Sequence, residues 1–276
     1  MAAPCLHNPQ SIEEFSVLMA ENDIHTVEIA VPDTQGHLRG KRVPIERFLR
    51  IAETGIAMAD AIFVFDIQCD LPEHPHVNMD TGYLDTRIVP DLSTARILTH
   101  RPGYALVFAD AFDETEAPHP LAPRGVLARQ IDSCRAAGLD PVVATEMEFY
   151  ICTPEWEPAE SHVQYSSLTY SMGLEPILAD MRSALIGAGL DVEGSNTEYA
   201  PAQIEINVGH CDAMTVADNT VLYKSIVKQV AVQHGLRATF MPLPFVGAGG
   251  SGMHIHTSLL DVDGANAFAS SDGHPN

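Results

Sequence analysis

The sequence predicts an α+β fold. Stretches of helical period alternate with short strands of period two, and the strands are not arranged to demand a parallel sheet. No internal repeat and no low-complexity tract interrupts that pattern. With 46% hydrophobic and 19% charged residues over 276 positions, the chain can bury a sizeable core in one or two domains.

The elements follow in order. Ser11 with Glu14 three residues on forms a capping box, and Ile12, Phe15, Leu18 and Met19 form one stripe of the first helix. His25 to Val31 and Leu38 to Val43 flank Asp33-Thr34-Gln35-Gly36, a turn signal that makes them a hairpin. A short helix from Ile45 to Glu53 closes at Gly55. Ala61 to Ile67, Arg87 to Val89, Arg96 to Leu98 and Ala105 to Ala109 read as short strands separated by Pro, Asp and Gly. Residues 1–110 are therefore expected to form a small strand-rich domain, and residues 111–276 a second one. Pro118, Pro120 and Pro123 lead into a helix from Arg124 to Ala137, followed by a strand from Pro141 to Ile151. A helix from Pro176 to Ile186, a strand from Gln203 to Val208 and a long helix from about Thr215 to His234 come next. In that helix Val227, Val230 and Ala231 are inward positions. A strand from Arg237 to Met241 then leads to Gly247, Gly249, Gly250 and Gly252 and a last strand bearing His254 and His256.

Composition narrows the function. A formal charge of −22 leaves no excess of Lys and Arg to replace phosphate counterions, so nucleic acid is not an expected partner. One basic cluster, Arg39, Lys41, Arg42, Arg47 and Arg50, is the exception. No apolar run approaches the roughly 18 to 20 residues that cross a bilayer, and Met1 to Gln10 lacks a basic segment followed by an apolar one, which predicts a cytoplasmic protein without membrane contact. Cys5, Cys69, Cys134, Cys152 and Cys211 are odd in number and scattered, so neither a disulfide framework nor a structural zinc is indicated. His7, His100 and His210 are taken as ordinary surface or core groups.

Three strands share a pattern of one apolar and one ligand-type face. Glu146 and Glu148 oppose Val143, Thr145, Met147, Phe149 and Ile151; Gln203, Glu205 and Asn207 oppose Ile204, Ile206 and Val208; His254, His256 and Ser258 oppose Met253, Ile255 and Thr257. Solvated faces of antiparallel sheets also alternate in this way, so one such strand decides nothing. Three of them, with Glu198 just ahead of Pro201, place four carboxylates toward one cavity if the sheet curves. Like charges about 4 Å apart repel by about 4 kcal/mol per pair at an effective dielectric of 20, so such a cluster takes up protons or holds cations. Carboxylates with imidazole and no thiolate favour Mg²⁺ or Mn²⁺, and two such ions beside a glycine-rich turn suit phosphoryl transfer.

These residues resemble the glutamine synthetase family, the glutamate-amine ligases. The resemblance runs through Glu146-Met147-Glu148-Phe149, through Glu198-Tyr199-Ala200-Pro201-Ala202-Gln203-Ile204-Glu205, through Thr239-Phe240-Met241-Pro242, and through Gly250-Ser251-Gly252-Met253-His254-Ile255-His256. It implies a small β-grasp-like N-terminal domain and part of a catalytic domain with a curved antiparallel sheet, holding two Mg²⁺ or Mn²⁺ ions. The implied reaction is ATP-dependent phosphorylation of the glutamate γ-carboxylate, then attack by ammonia or an amine on the γ-glutamyl phosphate. By the same resemblance Glu148, Glu198 and Glu205 hold one metal, and Glu146 and His254 the second. His256, Glu193 and Ser258 meet the nucleotide, and Gly249 and Gly250 the glutamate. Asp33 deprotonates the incoming amine at a neighbouring subunit's site, as in the homo-oligomeric rings of the family.

The departures concern the glutamate and amine region. Gly249 stands where the family's usual pattern has Asn, Ala248 where it often has Asp, Leu243 where it has Lys and Ala202 where it has Gly, while Met58-Ala59-Asp60-Ala61 replaces Phe-Asp-Gly-Ser-Ser. They predict an acceptor larger than ammonia, an amine or polyamine. The sequence ends at Asn276, where the family continues for well over a hundred residues that supply arginines and a further metal-binding Glu; the 276-residue polypeptide alone is expected to have little or no ligase activity. Two other readings use the same residues: a metal-dependent hydrolase built on His254-x-His256, and a non-catalytic relic with a vestigial metal site.

Overall fold

The computed structural model describes residues 8–162 and 165–269; Cys5 and His7 lie outside them. The chain divides into two compact units, Cys5–Ser133 and Cys134–Asn276.

In the first unit, helix α1 (Ile12–Glu21) begins where Ser11 Oγ accepts the Glu14 amide at 3.2 Å and Glu14 reaches back to the Gln10 amide at 2.7 Å. Its Phe15 and Met19 are buried, and Phe15 stacks on Phe48 with ring centres 4.7 Å apart. Phe48 belongs to α2 (Ile45–Ile51), which follows the expected hairpin of β1 (Thr26–Pro32) and β2 (Leu38–Pro44). The strands β3 (Ile56–Ala59), β4 (Asp85–Pro90), β5 (Arg96–Ile97) and β6 (Tyr104–Phe112) complete a six-stranded sheet. It is mixed, because β1 runs parallel to β6 while its other pairings are antiparallel. Alternate residues Val27, Ile29 and Val31 point into the core with Ile88 and Val107.

One expected strand is replaced. Ala61 to Ile67 does not extend; Asp60–Phe63 forms a short 3-10 helix with all four residues buried, and the strand lies earlier, at β3. The run Ala61-Ile62-Phe63-Val64-Phe65 is continuously apolar, so it carries no period-two signal, and burial on every side suits a tight turn better than a half-exposed strand.

Helix α3 (Pro123–Ala136) precedes the second sheet. There β7 (Asp140–Cys152), at 13 residues, is the spine. It pairs with β9 (Gln203–Val208), β10 (Cys211–Asp212), β11 (Arg237–Thr239) and β12 (Met253–Leu260), and β8 (Val192–Thr197) pairs with β9. Every one of these pairings is antiparallel. Helices α4 (Glu175–Gly187) and α5 (Ala213–Gln233) complete the unit. The apolar face of β7 packs on α5: Phe149 meets Tyr223 edge to face at 6.4 Å, Thr145 Oγ1 meets Thr220 Oγ1 at 2.9 Å, and Val227, Val230 and Ala231 are buried as their spacing predicts. At the far end of β7, the turn Thr153–Glu157 carries Trp156, whose ring lies 5.1 Å from the Arg237 guanidinium.

The strand bearing the two histidines departs from expectation. Met253 and Ile255, on what the alternation marks as its apolar face, are 51% and 63% exposed. Alternation fixes which residues share a face of β12, but burial needs an element laid against that face, and none of the described residues covers it. Of the described cysteines, Cys69, Cys134, Cys152 and Cys211 are all free thiols, and burial pushes the Cys152 thiol up to about 11. Among the described residues no helix is long and apolar enough to cross a membrane.

Candidate functional site

The polar faces of β9, β7 and β12 meet around Glu146 and Glu148. Pairing register does the assembling: Glu148 lies directly opposite Glu205 on β9, and Glu146 directly opposite His254 on β12. Glu198 joins from the turn that follows β8, with its carboxylate side chain largely buried, the residue being 9% exposed. Burial first, and then the charges of Glu148 and Glu205, push the Glu198 carboxyl above its ordinary range.

Each of the three carboxylates receives one side-chain amide. Gln203 Nε2 donates to Glu148 Oε2 at 2.7 Å, Asn196 Nδ2 to Glu198 Oε1 at 2.8 Å and Asn207 Nδ2 to Glu205 Oε1 at 2.7 Å. An amide orients a carboxylate without neutralising it, so the net negative charge stays in place. The lysine and arginine ion pairs seen among the described residues go to other carboxylates.

Glu146 is handled differently. Its Oε2 lies 3.2 Å from His254 Nδ1 and 3.3 Å from His256 Nε2. Hydrogen bonding from His256, the largest influence, together with that from His254 outweighs burial and holds the Glu146 carboxyl below its usual range.

Beside this face runs the glycine turn. Gly252 leaves room that a side chain would remove: a Cβ there would stand 3.0 Å from Glu148 Oε1. The Glu148 amide donates to Gly252 O at 3.1 Å, the Ser251 amide to Pro242 O at 2.8 Å, and the Tyr150 hydroxyl to Gly249 O. Burial, and then the nearby Glu148 charge, raise the pKa of that hydroxyl above its ordinary value.

On the other side of Glu146 a cleft of about 970 Å³ is lined by Glu146, Glu193, His256 and Ser258, together with His210 and Cys211. The cleft therefore gathers the residues that the family resemblance assigns to the nucleotide. His210, read from the sequence as an ordinary surface or core group, lines it as well; its position one residue before a two-residue strand gave no periodic signal.

Asp33 lies in the first unit and is 3% exposed. Its Oδ1 accepts the Gln35 and His37 amides at 2.9 and 2.8 Å, and its Oδ2 accepts Arg39 Nε at 2.8 Å. Within this unit the carboxylate is thus fully engaged in holding its own turn.

The donor set of carboxylates and imidazoles, with mutual repulsion among Glu148, Glu198 and Glu205, fits hard divalent cations. Among the described residues no three such groups are drawn together tightly enough to chelate an ion as they stand. Gln203, Asn196 and Asn207 went unassigned in the sequence reading, although the alternation had already placed Gln203 and Asn207 on the polar face.

Residues 120–276 match the family of the glutamine synthetase catalytic domain. The chain is 34% identical over 279 residues to the gamma-glutamylethanolamide synthetase of Streptomyces coelicolor, covering 96% of this chain and 60% of that one. It is 30% identical over 275 residues to the glutamate–isopropylamine ligase of a Pseudomonas species, covering 95% and 60%. The solved structure of a GmaS/ADP complex superposes with a TM-score of 0.82 at 27% identity, over 93% of this chain and 58% of that one. The chain thus spans about 60% of the length of the curated relatives it matches. The hydrolase alternative for His254-x-His256 gives way to this assignment. With the match extending over more than half of its residues, the chain belongs to the glutamine synthetase family, the glutamate-amine ligases.

Proposed function

We propose that this chain carries the cation- and nucleotide-binding part of an ATP-dependent ligase that joins the glutamate γ-carboxylate to an amine through a γ-glutamyl phosphate. The observation that supports it most is the meeting of Glu148, Glu198 and Glu205, each oriented by a side-chain amide. Glu148, Glu198 and Glu205 hold one divalent cation, and Glu146 with His254 a second. Bound there, Mg²⁺ or Mn²⁺ screens phosphate oxygens and fixes their geometry during phosphoryl transfer.

The chain's own residues do the rest. His256, Glu193 and Ser258 bind and orient the nucleotide in the cleft they line. Gly249 and Gly250 present backbone without side chains to the glutamate. Asp33 takes the proton from the amine at a neighbouring subunit's site in a homo-oligomer, and to do so it must loosen its bonds to Arg39 and its own turn. The first 110 residues correspond to a β-grasp-like domain, and residues 111–276 to part of a catalytic domain whose sheet is curved.

The acceptor is larger than ammonia. Supporting this are the relatives named for a γ-glutamylethanolamide product and an isopropylamine substrate, and the bare Gly249. An exposed aromatic pair beside Glu198, Tyr165 stacked on Tyr199 at 4.5 Å, offers an organic ammonium an apolar and π-rich face.

Calorimetric titration with MnCl₂ tests the core of the proposal. Wild type is expected to bind with defined stoichiometry, and Glu205→Ala to lose at least one site. Absence of stoichiometric binding in wild type would leave only a relic of the metal site. Phosphate release dependent on ATP and glutamate, across a panel from ammonium to putrescine, then reads the acceptor; better turnover with ammonium than with the organic amines refutes that part.

A further inference from the structure

We infer that Gln203 is a positioning residue that latches the glycine turn onto Glu148, so that one side chain sets both the shape of the turn and the orientation of that carboxylate. Gln203 is 2% exposed although it lies on the polar face of β9. Its amide nitrogen donates to Glu148 Oε2 at 2.7 Å and to Gly250 O at 2.9 Å. An amide nitrogen has two hydrogens, and these two acceptors use both.

The carbonyl end of the same side chain supplies a second constraint. Gln203 Oε1 stands 3.1 Å from where a Cβ on residue 249 would sit, closer than ordinary contact, with Ala200 Cβ at 3.5 Å. A side chain at 249 therefore has to displace Gln203 or lift the turn. This gives a physical account of why glycine occupies that position here.

The backbone before Gln203 is strained in support of the same geometry. Ala202 has φ of 58°, a left-handed conformation that favours glycine, and it is buried. The Ile151 amide holds it by bonding to Ala202 O at 3.0 Å. Strain at the residue that launches the latch is kept because the bonds made by the next side chain over-determine it.

The part of this inference that concerns a cation rests on the function proposed above; the latch itself does not. Hydrogen exchange of the full chain, read by mass spectrometry over residues 247–253 with and without MnCl₂, is combined with Mn²⁺ calorimetry on wild type and Gln203→Met. Methionine fills the same space without a donor. In the metal-free state Gln203→Met is expected to exchange the turn amides about tenfold faster while α5 keeps its protection. Mn²⁺ is expected to slow turn exchange in wild type but not in the variant, and to bind the variant about tenfold more weakly. Unchanged turn exchange in Gln203→Met overturns the inference.

If α5 also loses protection, the variant is unfolding, and Gly249→Ala decides instead: it presses on Gln203 from the other side and must reproduce the fast turn exchange, or the inference fails. If wild type binds no Mn²⁺, the proposed function is lost and the metal-free exchange alone judges the latch.

Discussion

One set of carboxylates in each unit is held in a way opposite to the other. In Cys5–Ser133 one set of carboxylates meets guanidinium: Asp33 with Arg39 at 2.8 Å, Glu28 with Arg42 at 2.6 Å and Arg101 at 2.9 Å, and Asp110 and Asp91 with Arg124 at 2.6 and 3.3 Å. In Cys134–Asn276, Glu148, Glu198 and Glu205 meet amides. A guanidinium removes the charge and leaves a structural tie. An amide fixes the direction of the oxygens and leaves the charge standing. In a chain with 15 Lys and Arg against 37 Asp and Glu, cations are scarce, and their placement at the first set, with none of the ion pairs seen among the described residues at the second, separates scaffolding from a site that suits a cation from outside.

The contrast is sharpest if an ion pair is broken. Arg39→Ala leaves Asp33, its side chain 1% exposed, without its cation; a loss of about 3 kcal/mol in urea-unfolding free energy is expected. A loss under about 0.5 kcal/mol would mean that the turn amides alone hold Asp33, erasing the distinction. At the other kind of carboxylate the sign reverses. Glu205→Gln relieves repulsion with Glu148 directly opposite and is expected to stabilise the metal-free protein by about 0.5–1 kcal/mol, while abolishing one Mn²⁺ site in calorimetry. Destabilisation there would show that the charge is already compensated.

Ala202→Gly removes the left-handed strain next to Gln203, and a gain of up to about 1 kcal/mol in thermal or chemical unfolding is expected. The smallest effect concerns pH in the first unit. Burial lowers the His119 pKa from its ordinary 6.5, against the smaller opposing influence of Asp60. The folded state then binds fewer protons than the unfolded one between the lowered value and 6.5, so stability is lost as pH falls through that window. Asp60 is shifted upward from 3.8 by its own burial, so it works against stability as pH rises through its range. His119→Gln should flatten the slope of unfolding free energy just below pH 6.5; an unaltered slope excludes His119 as its source.

Much of the site was legible because β7, β9 and β12 keep strict alternation, and a one-residue error in any of them would have reversed the face. The hairpin around Asp33 and the start of α1 were legible through local turn and cap chemistry, which does not depend on distant residues. Strand β8, Val-Glu-Gly-Ser-Asn-Thr, was not, since its sequence has no apolar alternation and it is held by pairing with β9. Strand β10 is two residues long, too short for any period. The burial of Gln203 was hidden for a different reason. Alternation assigns a face, whereas the amide bonds that draw a polar residue inside depend on Glu148 and Gly250, 55 and 47 residues away in the chain.

The single tryptophan has a practical consequence. Trp156 is half exposed in the turn after β7, with its ring centre 5.1 Å from the guanidinium of Arg237, which begins β11. Its emission therefore monitors the C-terminal half of the polypeptide, while the N-terminal half is silent at that wavelength. Comparing indole fluorescence with far-ultraviolet circular dichroism along one denaturation series would reveal, without any added label, whether the halves melt together or in sequence.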